Sequence, residues 1–172
     1  KFKKNNQFTP KTLNILVLGG SQAAKSFGEL LPKVFEQCIK ENIKIKVFQQ
    51  CIESQKKILN EIYKNLNFNF ELFNFTNNIT EYFLKTELAI TRSGSSVTAE
   101  LINCNIPFIS IPYPYAADSH QEKNATYFEK KGYSYCIKET EVNKKLFSLI
   151  KSFYKDKKLL DRIIEKQKNH SD

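Results

Sequence analysis

Three short stretches gather glycine, hydroxyl and amide side chains between apolar runs: "GGSQAAKS" from Gly19, "RSGSSVTAE" from Arg92 and "YPYAADSHQEKNA" from Tyr113. In the first, Gly19 and Gly20 let the backbone turn tightly and approach a ligand closely. Ser21 then stands beside a helix start, where free N–H groups and the helix dipole favour an anion such as a phosphate. The same Gly-Gly-Ser composition also serves a purely structural turn. In the second stretch Gly94 provides the turn, Ser95 or Ser96 the N-cap, and Glu100 a carboxylate one turn into the helix. A carboxylate near a strand's carboxyl end suits the two hydroxyls of a ribose, and a surface residue pairing with the helix dipole is the alternative. In the third, Pro112 and Pro114 hold the chain extended, and His120, Gln121 and Asn124 share one helical turn. Their neutral donors and acceptors match sugar hydroxyls. His120 has no orienting partner in the sequence, so ligand contact or capping fits it better than proton transfer.

The elements that must position these stretches alternate along the chain. "LNILVLG" (13–19) is a continuous apolar run, and the "FGELLPKVFEQCIK" that follows places Phe27, Leu30, Leu31, Val34, Phe35 and Cys38 on one helical face. Strands are expected at 43–49, 69–75, 87–91, 107–112 and 133–138. Helices are expected around 56–66, 79–86, 96–104, 120–132, 143–154 and 157–168, with Gly132 as a helix stop. About six strands alternating with helices predict an α/β domain, a Rossmann-like doubly wound parallel sheet. Ligands in such sheets lie outside the carboxyl ends of the strands, where all three stretches fall.

Composition narrows the function classes. At 172 residues the chain has the size of one domain, since domains run to roughly 100–200 residues. With 41% hydrophobic residues it has the material for a packed core despite being 26% charged. No apolar stretch approaches the roughly 18 residues that span a bilayer, and no signal-peptide core is present at the N-terminus. Cys38, Cys51, Cys104 and Cys136 form no C-x-x-C pair and have only two histidines to join them, which predicts buried, reduced thiols rather than a zinc site. The net charge of +9 is enough to attract anionic lipid or nucleic acid, and a compositional bias toward Lys, Asn and Ile is the alternative that fits the scattered lysines better. The lysines are scattered, and no cluster of basic residues carries base-stacking aromatics, so no nucleic-acid role is expected. The chain has no methionine and is read as a fragment, with residues 1–12 a tether and 13–172 the folded domain.

Taken in order, "GGSQAA", "RSGSSVTAE" and "HQEKNA" resemble the C-terminal half of the MurG family, bacterial glycosyltransferases that add N-acetylglucosamine to lipid I to make lipid II. The likeness runs from Leu13 to about Lys168. Ala23 stands where the family has the second glycine of its first motif. The resemblance implies one half of a two-domain GT-B glycosyltransferase, with UDP-N-acetylglucosamine as donor and no cofactor. It also implies no metal, which agrees with the absence of an Asp-x-Asp pair. Carried over, Gly20 and Ser21 meet the diphosphate, and Ser95, Ser96, Val97 and Thr98 form the helix start beneath it. Glu100 holds the ribose, the Phe75 backbone reads uracil, and Gln121 and Asn124 bind the sugar hydroxyls. No catalytic residue is expected within the fragment, because the family's acceptor site and base belong to the N-terminal domain, through which lipid I is bound. The family's setting implies peripheral contact with anionic membrane at the cytoplasmic face of the inner membrane. A related alternative is the donor-binding subunit of a dolichol-linked N-acetylglucosamine transferase complex. A dehydrogenase module would need G-x-G-x-x-G after the first strand, which "GGSQAAKS" lacks.

Overall fold

A computed structural model describes residues 12–170, apart from the side chains of residues 20–24; most of the expected tether therefore lies outside the described residues. Six strands, β1 (Leu13–Leu18), β2 (Ile45–Gln50), β3 (Asn69–Phe73), β4 (Leu88–Thr91), β5 (Phe108–Ser110) and β6 (Ser134–Cys136), alternate with helices. The helices are α1 (Gly20–Lys40), α2 (Glu53–Leu66), α3 (Ile79–Lys85), α4 (Ser95–Asn103), α5 (His120–Lys130), α6 (Val142–Lys155) and α7 (Lys158–His170). All strand pairs are parallel, in the order β3-β2-β1-β4-β5-β6. This is the doubly wound sheet that the alternation predicted.

The central strands β1, β4 and β5 are largely apolar and buried because both faces of the sheet are covered there, whereas the edge strand β3 alternates exposed and half-buried residues. Along β1, Leu13, Ile15 and Val17 enter one core with Phe27 and Phe35 of α1, Tyr63 of α2 and Phe153 of α6. Leu16 and Leu18 enter the other, with Phe83 of α3 and Leu101 and Ile102 of α4. The period of two along the strand sorts one run of residues into two cores. All six residues assigned to the apolar face of α1 are buried or half-buried. α7, which looks polar in sequence, is fixed by Gln167: its buried Nε2 donates to the carbonyls of Ile106 and Tyr133, both at 2.9 Å.

Helix ends follow local chemistry. α5 closes on Gly132 at φ +76°, with Gly132 N–H donating to Glu129 O at 2.9 Å and Tyr133 N–H to Phe128 O at 2.9 Å. That is the paired bond pattern of a glycine C-terminal cap. α4 departs from expectation: its N-cap is Gly94, and Ser95 and Ser96 are its first two helical residues. The extended backbone of Gly94 leaves the strand without needing a side-chain cap, and no cap hydrogen bond forms. The four cysteines are free; Cys38 and Cys51 are buried, whereas Cys104 and Cys136 are only half-buried.

Candidate functional site

The strand order reverses between β1 and β4, and at the carboxyl edge of that junction lies a cleft of about 400 Å³. Such a reversal pulls the two following loops to opposite faces of the sheet and leaves a crevice between them. Gly19, Gln50, Phe75, Arg92, Val97, Glu100 and Gln121 all line it.

Two helices start at this edge, α1 immediately after β1 and α4 three residues after β4. Neither has an acidic residue in its first turn, and neither does α6, whereas α2, α3, α5 and α7 carry Glu53, Glu81, Glu122 and Asp161 there. Acids in a first turn offset the positive end of the helix, so the two helices at the cleft keep that end available to an outside anion. Gly20 and Ser21 open α1, but their side chains lie outside the described part of the structure. In α4, Ser95 and Ser96 are exposed and Val97 lines the cleft. Thr98 is buried instead, its hydroxyl donating back to Gly94 O at 2.8 Å or Ser95 O at 3.2 Å, so it shapes the helix start and offers no group outward.

Glu100 is exposed on the cleft wall, and among the described residues its carboxylate has no hydrogen-bond or ion-pair partner. It lies beyond the first turn of α4, where the dipole's effect has largely faded, so pairing with the helix end does not account for it. Phe75, 77% exposed at the opposite rim, is an unburied aromatic beside an otherwise apolar wall that includes Phe73 and Ile79.

Gln121 and Asn124 lie on the third side. Gln121 Oε1 accepts the N–H of Tyr113 at 2.9 Å and of Ser93 at 3.3 Å, and Asn124 Nδ2 donates to Ser93 O at 3.1 Å. Both amides thus hold the loops after β4 and β5 to α5. Gln121 also lines the cleft, and Asn124 sits half-buried behind it. His120 is exposed, 3.9 Å from the Asp118 carboxylate.

Two cleft residues escaped the sequence reading. Arg92 is 4% exposed, with its guanidinium over the Phe27 ring at 4.5 Å, paired to Glu139 at 2.6 Å and donating to Ile111 O at 3.2 Å. Glu139, itself half-buried, also accepts from the Ser26 hydroxyl at 2.9 Å, so α1, the β5 exit and the loop before α6 meet at one ion pair. Gln50 ends β2, one residue past the expected end of that strand. A polar residue closing an apolar strand at the ligand edge was its available signal; Arg92 lay within a quoted motif but its partners are distant in sequence.

A doubly wound sheet with acid-free helix starts at its switch point is the architecture of an α/β domain that binds an anionic ligand at the carboxyl edge of its strands. The chain belongs to the family described as the glycosyltransferase family 28 C-terminal domain, which matches residues 14–172. Its relatives include the UDP-N-acetylglucosamine--N-acetylmuramyl-(pentapeptide) pyrophosphoryl-undecaprenol N-acetylglucosamine transferases of Pelagibacter ubique and Rickettsia bellii. The first is 36% identical over 78% of this chain and 37% of its own; the second is 38% identical over 81% and 41%. This chain therefore spans about two fifths of those relatives' length. Among solved structures, Acinetobacter baumannii MurG superposes with a TM-score of 0.83 at 25% identity, covering 94% of this chain and 48% of that one.

Proposed function

We propose that this chain is the donor-binding domain of an inverting N-acetylglucosaminyltransferase of peptidoglycan synthesis, which moves N-acetylglucosamine from UDP-N-acetylglucosamine to lipid I to form lipid II. The observation that carries the reading is the single cleft shared by Phe75, Val97, Glu100 and Gln121 between two acid-free helix starts. A UDP-sugar has the matching parts: a base for the Phe75 loop, a diphosphate for the helix starts, a ribose diol for Glu100 and a sugar for the Gln121 side. The names carried by the relatives favour lipid I over a dolichol-linked acceptor.

In this reading the acceptor hydroxyl attacks the anomeric carbon as the bond to the diphosphate breaks. Negative charge grows on the departing UDP, and the backbone N–H groups at the starts of α1 and α4, joined by Ser21, stabilise it. Glu100 fixes the ribose, and with it the line along which the leaving group departs. Lipid I and the base that takes its proton are assigned to the part of the relatives that this chain does not match. The net charge of +9 supports peripheral contact with an anionic membrane surface, the setting assigned to a lipid-linked acceptor. Among the described residues no helix is long and apolar enough to cross a membrane.

Calorimetric titration tests the donor assignment. The chain should bind UDP and UDP-N-acetylglucosamine saturably and NADH not at all. Glu100→Gln should weaken UDP binding by about 1.5–3 kcal/mol, the worth of hydrogen bonds to a charged acceptor, without changing the circular dichroism spectrum. NADH binding in place of UDP, or full UDP affinity in Glu100→Gln, would refute the donor site as drawn.

A further inference from the structure

At the cleft edge the three strands on one side of the switch point run out of backbone pairing. The β1–β2 register ends at Val17 with Gln49, and the β2–β3 register at Gln50 with Phe73. Just past these ends the Cys51 N–H still donates to Phe73 O at 2.9 Å, and the Gln50 side chain adds a bond to each neighbouring loop. Gln50 Oε1 accepts the Gly19 N–H at 3.2 Å, and Gln50 Nε2 donates to Asn74 O at 3.2 Å. The two partners fix the amide's orientation: turning it over would set oxygen against a carbonyl and an NH2 group against an N–H.

The two backbone groups held this way belong to the loops after β1 and β3. Gly19 is the N-cap of α1, which has no side-chain cap of its own, so its position sets where the helix start points. Asn74 immediately precedes Phe75, the exposed aromatic on the rim. Gly19, Gln50 and Phe75 all line the cleft. A planar amide bonded at both ends acts as a spacer of fixed length between them.

We infer that Gln50 is a positioning residue that couples the loop after β3 to the loop after β1, so that a nucleoside diphosphate is bound as one unit and not as two independently placed halves. The inference rests on the cleft being the donor site, and adds to it a residue whose amide is bonded to the loops after β1 and β3. A ligand spanning two subsites gains affinity from the link only when the spacing of the subsites matches its own length. Removing the spacer leaves each subsite's own groups in place and reduces the gain from joining them.

Binding of UDP, uridine and inorganic pyrophosphate to the full chain, followed by NMR titration in the parent and in Gln50→Leu and Gln50→Asn, tests this. Leu removes the amide, and with it the bonds to Gly19 and Asn74, without adding charge. Asn keeps an amide but is one methylene too short to reach both backbone groups, and it provides a soluble variant should Leu impair folding. Each should lower UDP affinity about tenfold while uridine and pyrophosphate affinities change less than about twofold, because the lost energy lies in the linkage. Unchanged UDP affinity in either variant overturns the role, and so does an equal loss for all three ligands, which marks general loosening. A parent that binds no UDP overturns the donor-site reading and this inference together; a parent that binds UDP beside unaffected variants overturns this inference alone.

Discussion

At the scale of single residues, Gln121 has to satisfy two demands with one amide. Its oxygen is committed to the N–H groups of Ser93 and Tyr113, which leaves Nε2 as the group to offer a sugar hydroxyl. The two halves separate by mutation. Gln121→Ala strands two backbone N–H groups, one of them on buried Ser93, at about 1–3 kcal/mol for each that stays unsatisfied, so its melting temperature should fall clearly. Gln121→Glu retains an oxygen for both N–H groups and removes the donor. It should melt like the parent yet lose any preference for UDP-N-acetylglucosamine over its galacto epimer. A Glu variant that keeps the full preference would show that α5 only braces the loops. Thr98 and Asn124 illustrate the same division, since the Thr98 hydroxyl and the Asn124 Nδ2 are spent within the fold and support residues that face the cleft.

At the scale of elements, the turn that ends α5 and begins β6 depends on a backbone conformation that side chains resist. Gly132→Ala should cost roughly 1–2 kcal/mol in urea denaturation, the penalty for placing a Cβ in the left-handed region, with the contact to Lys166 Cγ at 3.4 Å adding little because that chain is flexible. Gly94→Ala is the control. Its φ is −64° and its added Cβ meets only Val97, at 3.9 Å, so stability should hardly move. Equal costs at the two sites would contradict this account of α5. Gly132 was legible in the sequence because a glycine after an amphipathic run has one common use. The central strands were legible for a similar reason: buried on both faces, β1 and β4 appear as short, largely apolar runs. The cap of α4 was misplaced because serine and glycine compete for that position, and only the backbone path out of β4 decides it. The partners of Gln50 and of Arg92 were out of reach for another reason. They are set by strand order, with Glu139 lying 47 positions from Arg92, and no local pattern encodes that pairing. Gln167 belongs with them, an amide on a polar-looking helix whose two carbonyl partners come from the far side of the chain.

At the scale of the whole molecule, the sheet that shapes the cleft is held by two cores that bury ionisable groups, and this sets an alkaline limit on stability. Burial pushes the Cys38 thiol from its ordinary 9.0 up to about 12. Burial and then Glu129 raise Cys136 to about 11, and burial followed by the hydrogen bond to Glu71 raises Tyr82 from 10.0 to about 12. Tyr63, enclosed beside Gln49, is raised further still. Each group is neutral in the fold over a range where the unfolded chain has already released its proton. The sign follows from that difference: their contribution is complete below about pH 9 and is lost as pH rises through the folded values near 11 and 12. Urea midpoints measured under reductant should therefore hold level up to about pH 9 and fall steadily from there to about pH 12. Cys136 supplies a way to assign the slope, because it is half-buried and its removal leaves little void. Cys136→Ala should flatten the decline between pH 9 and 11 while leaving the midpoint near neutrality within about 0.5 kcal/mol of the parent, as for a partly exposed substitution. A parent curve that stays level to pH 12, or a Cys136→Ala curve that declines as steeply as the parent between pH 9 and 11, would show that these thiols and phenols ionise as readily in the fold as outside it.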